Sequence, residues 1–254
     1  MKHGDFTNLA KKYINRPGYS EEVLSLLCSY IGIEENDIIA DVGAGTGKLT
    51  ENLNNIGMKG YAVEPNDAMR EEGIKLFTGN KNFKWMKGTA EQTKIDDSSV
   101  KWVIMGSSFH WTDSEKALQE FNRILKVGGG FTAIWNPRDI YRSELHTRIE
   151  EKIYNICPNI KRVSSGSKDN MNNMERIITS HRNLGELIFI EKSYDIIMSK
   201  ERFIGAWESV NDIQVQAGKE KFDMIINMIR EEIEELDEIL VPYKTRAWTV
   251  KKLL

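Results

Sequence analysis

Ile38-Ile39-Ala40-Asp41-Val42-Gly43-Ala44-Gly45-Thr46-Gly47-Lys48-Leu49-Thr50 is an apolar run that ends on an acid, passes through alternating glycines and opens a helical pattern. Short apolar runs of this kind read as buried parallel strands, and glycines let a strand turn sharply into a helix while the backbone stays close to a ligand. A helix N-terminus here directs amide donors into the crevice at the carboxyl end of the strand. Glu64 follows about 20 residues on, at the tip of the next apolar run, which is the context a ribose-containing, nucleotide-type cofactor requires.

Working outward, the chain alternates strand and helix patterns. Gly60–Glu64, Asn82–Met86, Val100–Met105 and Phe131–Trp135 read as strands, and Lys48–Ile56, Asp67–Phe77 and Ser114–Leu125 as helices, with Asp67 an expected N-cap. Gly128-Gly129-Gly130 reads as the turn that closes the third of these helices. Upstream, Phe6–Ile14 and Ser20–Ile31 read as amphipathic helices separated by Arg16-Pro17-Gly18. After Asn136 the rhythm breaks: Arg142–Ile156 and Met174–Leu184 look helical around a polar stretch, Pro158–Asn173. A strand at Gly185–Met198, helices at Lys200–Val210 and Glu220–Leu236, and a last strand at Arg246–Lys252 complete the chain. Alternating strands and helices imply a parallel sheet with right-handed crossovers, a doubly wound α/β fold. The connection after the fifth strand is far longer than the usual 2–6 residues, so it is expected to form a cap over the site. A single domain over residues 1–254 is expected, with N-terminal lid helices in 1–36, a Rossmann-like core in 37–137 and 186–254, and a cap insertion in 138–185.

Composition narrows the function. Lys+Arg 35 against Asp+Glu 38 gives a net charge of -3, so no global basic surface advertises nucleic acid or anionic lipid. The two cysteines, Cys28 and Cys157, lie in no metal-ligand spacing and read as free thiols of a reducing compartment. The first residues lack the apolar core of a signal peptide and no apolar run is long enough to span a bilayer, so a cytoplasmic protein without nucleic-acid or membrane partners is expected. No metal site is expected.

The turn also discriminates between cofactors. In the nicotinamide fingerprint Gly-x-Gly-x-x-Gly, the last glycine falls where this chain has Lys48, and Gly47 comes one residue early. Asp41 is charged where a dehydrogenase strand is ordinarily apolar. A carboxylate there sits badly against a pyrophosphate and well near a sulfonium or amino group, so a cationic cofactor is expected.

Asp41-Val42-Gly43-Ala44-Gly45-Thr46-Gly47 resembles motif I of the class I S-adenosylmethionine-dependent methyltransferases. Glu64 matches their ribose-binding acid, Gly88-Thr89-Ala90-Glu91 resembles the segment that holds adenine, and Leu125-Lys126-Val127-Gly128-Gly129 resembles the turn before strand five. Within that superfamily, Tyr13-Ile14-Asn15-Arg16-Pro17-Gly18-Tyr19, Ser108-Phe109-His110-Trp111, Trp135-Asn136 and Val241-Pro242-Tyr243-Lys244-Thr245 look like the small-molecule branch that includes trans-aconitate methyltransferases. One departure is Thr89, where the superfamily often has an acid facing the adenine amino group, so that contact passes to Glu91 or to backbone.

The resemblance implies a mostly parallel, seven-stranded Rossmann-like methyltransferase sheet with S-adenosylmethionine as cofactor and a small-molecule methyl acceptor, in a monomer or weak homodimer. Asp41, Gly43, Ala44, Gly45, Gly47, Glu64, Pro65, Met69, Thr89, Ala90, Glu91 and Ser107 are expected around the cofactor, with Tyr13 and Arg16 folding over it as a lid. Tyr19, His110, Trp111, Asn136, Arg138 and Trp207 are expected to face the acceptor. His110 has a pKa suited to a general base or to orienting a nucleophile, against the alternative of a structural histidine beside Trp111. Arg138 or Arg142 suits a carboxylate acceptor. Alternatives are a carboxyl O-methyltransferase of the trans-aconitate type and a non-catalytic protein that binds the cofactor.

Overall fold

The computed structural model describes residues 7–162 and 173–254; the expected helix start at Phe6 and part of the polar stretch after Pro158 lie outside them. A seven-stranded sheet runs in the order β3-β2-β1-β4-β5-β7-β6. Its strands are β1 (Ile39–Val42), β2 (Gly60–Val63), β3 (Phe83–Met86), β4 (Val100–Gly106), β5 (Leu125–Trp135), β6 (Leu184–Met198) and β7 (Ile239–Lys252). β3, β2, β1, β4 and β5 are parallel, while β7 runs antiparallel to both β5 and β6. This is the doubly wound, mostly parallel α/β architecture that the sequence implies.

All of β1 is buried, because it lies between β2 and β4 with apolar side chains covering both faces. The pleat divides its side chains. Ile39 packs with Val23, Leu24 and Leu27 of α2 (Glu21–Ile31) and with Leu49 and Leu53 of α3 (Lys48–Asn55). Ala40 and Val42 face the opposite layer, where α5 (Ser114–Ile124) contributes Ala117, Leu118, Phe121 and Ile124.

A third cluster stands beyond the sheet's carboxyl ends. Ile149 and Ile153 of α6 (Glu144–Ile156) pack with Phe203 and Trp207 of α8 (Lys200–Glu208), with Ile225 and Ile229 of α9 (Asn211–Glu232), and with Ile239 and Val241 of β7. The long connection after β5 and the helices between β6 and β7 therefore share one apolar core.

Several boundaries differ from the sequence reading. Gly128-Gly129-Gly130 lies inside β5, with Gly128 at φ 71 and a register shift against β4, so the glycines form an irregular strand entry in place of a closing turn. β7 begins at Ile239 and includes Pro242, beyond the segment paired with β5, where a residue without an N–H is tolerated. The last long helix starts at Asn211 and is broken at Gly218 (φ 71, ψ 171). The segment after the polar stretch is helical only over Met174–Ile178, here α7. At the N-terminus the helical residues are a 3-10 turn, Thr7–Leu9, and α1 (Ala10–Tyr13). Asn66 rather than Asp67 caps α4 (Asp67–Leu76), its side chain accepting from the Met69 amide. No helix among the described residues is long and apolar enough to cross a membrane.

Candidate functional site

The carboxyl ends of β1, β2, β4 and β5 open into a cavity of about 1190 Å³, whose other wall comes from α6, α8 and the N-terminal segment. Pockets for single small ligands run to about 1,000 Å³, so there is room for a cofactor together with a second small molecule.

One end of the cavity is acidic. Asp41, fully buried at the tip of β1, accepts a 2.6 Å hydrogen bond from Thr50 Oγ1, while its Oδ1 is buried without a partner among the described residues. Burial pushes its carboxyl up to about 7, the nearby Glu64 charge adds to the rise, and the Thr50 bond opposes it. Glu64, just past β2, accepts from the Gly45 amide at 2.8 Å and from the Asn66 amide at 2.8 Å. Desolvation raises its pKa while those two amides pull it back.

The glycine turn makes this arrangement possible. Gly43 has φ +71, and a Cβ there would stand 2.6 Å from Ser108 Oγ. Gly45 has φ +60, which lets its N–H turn toward Glu64. Gly47 caps α3 from the left-handed region and faces Phe77 and Trp85, away from the cavity lining.

The remaining expected cofactor residues, Ala44, Pro65, Met69, Thr89, Ala90, Glu91 and Ser107, all line the cavity. Ser107, past the end of β4, holds φ 53, a strained conformation for a residue with a side chain. Its hydroxyl lies 3.1 Å from that of the buried Tyr19, which packs over Gly106. Tyr13 and Arg16 also line the cavity: the Arg16 guanidinium stacks 4.1 Å from the Tyr13 ring centroid and is bound to Ser209, just past α8, through both its hydroxyl and its carbonyl.

The expected acceptor residues divide. Tyr19, Trp111, Asn136 and Arg138 line the cavity, whereas His110 and Trp207 do not. His110 stands behind Trp111, its ring centroid 4.6 Å from that ring, and its Nδ1 accepts a 3.3 Å hydrogen bond from the Trp135 indole N–H. Trp207 is buried in the helical cluster, and the Arg138 guanidinium lies 4.0 Å over its ring. Asn136 donates to the Gly18 carbonyl at 2.8 Å and to the Tyr194 hydroxyl, and accepts from Thr245 Oγ1 at 2.9 Å. Its amide is thus committed to bracing the N-terminal segment. Arg142 pairs with Asp195 at the surface, leaving Arg138 as the member of that pair facing the cavity.

Sequence reasoning gave no site role to Thr50, Asn66, Tyr243 or Arg162, although Thr50 and Tyr243 stand within the motifs quoted above. Asn66 carried a signal in its helix-capping position; Arg162, in a polar stretch, carried none. Arg162 Nη1 donates 2.7 Å hydrogen bonds to both oxygens of Glu150. Among the described residues no cluster of His, Cys, Asp and Glu suits a metal ion.

Residues 40–133 match a family model described as a methyltransferase domain. An uncharacterized methyltransferase of Mycobacterium tuberculosis is 35% identical over 124 residues, which are 49% of this chain and 48% of that protein. The chain thus spans about half the length of the curated relatives it matches. Among solved structures, a chain from Anaeromyxobacter dehalogenans with a provisional assignment as a type II methyltransferase superposes with TM-score 0.65 at 18% identity, over 94% of this chain and 98% of that one. The phosphoethanolamine N-methyltransferase 2 of Haemonchus contortus, solved with phosphomonomethylethanolamine and S-adenosylhomocysteine, gives TM-score 0.58 at 13% identity, over 98% of this chain and 58% of that one. The fold is shared with these solved methyltransferase structures.

Proposed function

We propose that the protein is an S-adenosylmethionine-dependent methyltransferase acting on a small molecule. The observation that carries the reading is the acidic end of the cavity, where the buried, unpartnered Oδ1 of Asp41 and the backbone-anchored carboxylate of Glu64 flank the glycine turn. This donor set fits the cofactor. Asp41 suits a cationic amino group, and Glu64 retains lone pairs for ribose hydroxyls beyond those its two amides occupy. Thr89, Ala90, Glu91 and Met69 suit the adenine. When bound, S-adenosylmethionine would supply an electrophilic sulfonium methyl group for a lone pair of the acceptor, with S-adenosylhomocysteine as the leaving group.

The chain's own task is alignment and exclusion of water. Tyr13 and Arg16 brace the N-terminal segment against the α8 end, and the helical cluster serves as the cap. His110, behind Trp111, receives no base role. A carboxyl O-methyltransferase of the trans-aconitate type is the second reading, favoured by the arginine that faces the acceptor end and by the fact that a carboxylate acceptor needs no base. The protein works as a monomer or weak homodimer, which sedimentation tests.

Calorimetric titration with S-adenosylmethionine, S-adenosylhomocysteine and NAD tests the cofactor. Binding of the first two and not NAD is expected; binding of NAD alone overturns the reading. Cofactor binding without methyl transfer across a broad acceptor screen would leave a non-catalytic binding protein.

A further inference from the structure

Besides Lys48, Lys244 and Arg246, each paired with an acid, the cavity wall carries the cations Arg16, Arg138 and Arg162. Two of them are engaged. Arg16 is fastened to Ser209, and Arg162 holds both oxygens of Glu150 and reaches Asp212. Arg138 differs. It is half-buried: its guanidinium lies on the Trp207 ring at the cavity wall, its Nε is buried without a partner, and no side chain among the described residues hydrogen-bonds to it or pairs with it. Burial draws its pKa below the ordinary arginine value, Tyr243 and Glu150 oppose the fall while Arg162 and Arg16 add to it, and guanidinium stays protonated in proteins. A partly desolvated cation is favoured by an anion that completes it, and the aromatic face beneath this one supplies only part of the compensation. The Trp207 platform also fixes the plane of the guanidinium, leaving its N–H edge for a ligand. Glu150, which also lines the cavity, has both oxygens bound to Arg162, and Asp139 pairs with Lys244.

We infer that Arg138 is an anion subsite, and that the methyl acceptor carries a carboxylate or phosphate group which Arg138 holds. The inference rests on the methyltransferase reading for the word acceptor, while the subsite stands on its own geometry. The anionic group is a handle: charge-assisted hydrogen bonds to a guanidinium draw electron density from its oxygens and make them poorer nucleophiles, so the methyl-accepting atom is another group of the same molecule. The cavity is therefore polarised, with an acidic end for a cationic cofactor and a basic end for an anionic acceptor, an arrangement that also disfavours either ligand in the other's place.

The test is calorimetry on the full chain saturated with S-adenosylhomocysteine, titrated with succinate, inorganic phosphate and, as the neutral control, succinamide. Binding of succinate or phosphate but not of succinamide is expected, and the preferred anion identifies the source of the charge. Arg138→Gln is expected to weaken that anion by about 10- to 100-fold while leaving S-adenosylhomocysteine affinity unchanged. Arg138→Lys, which keeps the charge and loses the fork, is expected to fall between. If S-adenosylhomocysteine binds but neither anion does, or if succinamide binds as well as succinate, the inference is overturned; this comparison uses the unaltered protein and so survives a variant that fails to fold. Unchanged anion affinity in a folded Arg138→Gln protein also overturns it. Failure of S-adenosylhomocysteine to bind strikes the cofactor reading instead, and anion titration of the protein alone then still tests Arg138. In a methylation assay propionate, which offers no second nucleophile, is expected to remain unesterified; its esterification overturns the handle role.

Discussion

The Gly45 amide donates a 2.8 Å hydrogen bond to Glu64 Oε2, tying the turn after β1 to the tip of β2. The same carboxylate receives the Asn66 amide, so one side chain organises the turn, the strand end and the start of α4. Glu64→Gln replaces one acceptor oxygen with a donor that opposes these amides. The expected outcome is a loss of about 1 kcal/mol in folding stability and a fall of about 10- to 100-fold in S-adenosylmethionine affinity. Denaturant melts and calorimetry measure the two separately, and normal affinity in the variant would remove Glu64 from the cofactor site.

Asp41 gives a pH signature. Its carboxyl sits at about 7 in the folded protein against an ordinary 3.8, so between those values the folded state keeps a proton that the unfolded chain has released. This group's contribution therefore makes stability fall as pH rises from about 4 to about 7 and leaves it level above that. A cationic amino group favours the ionised form, so S-adenosylmethionine affinity is expected to climb as pH passes through 7. Asp41→Asn is expected to flatten both profiles, read by thermal melts and by titration across the pH range.

Asn136 joins four parts of the chain through Gly18, Tyr194 and Thr245, and Thr245 Oγ1 in turn accepts from the Ser20 amide at 3.0 Å. Asn136→Ala removes three hydrogen bonds from this part-buried network, in which Tyr194 still donates to the Gly18 carbonyl, and is expected to cost about 1–3 kcal/mol. The loss falls locally on the segment that presents Tyr19, so faster amide exchange at Tyr19 and Ser20 is expected. Unaltered exchange there would show that the brace acts elsewhere.

His110→Ala separates structure from catalysis. The ring accepts from the Trp135 indole and packs beside Trp111, so a stability loss of about 1 kcal/mol is expected with turnover per folded molecule unchanged. A turnover collapse in the folded variant, with cofactor binding intact, would restore the base role.

Sequence alone determined the first five strands, the glycine turn and the acids that flank it. Strand periodicity, left-handed glycines and an acid at a strand tip are local chemistry, legible within about 30 residues of chain. Tertiary structure decided the rest of the site. Between Arg138 and Arg142, packing laid the first over Trp207, nearly seventy positions along the chain, and left the second at the surface with Asp195. His110 follows β4 as expected, yet Trp111 takes the place on the cavity wall. Asn136 faces the cavity, but its amide is claimed by residues from the N-terminal segment, β6 and β7. The reach of β7 and the shared core of the helical segments also depend on partners far apart in sequence, because burial is set by what the chain brings together.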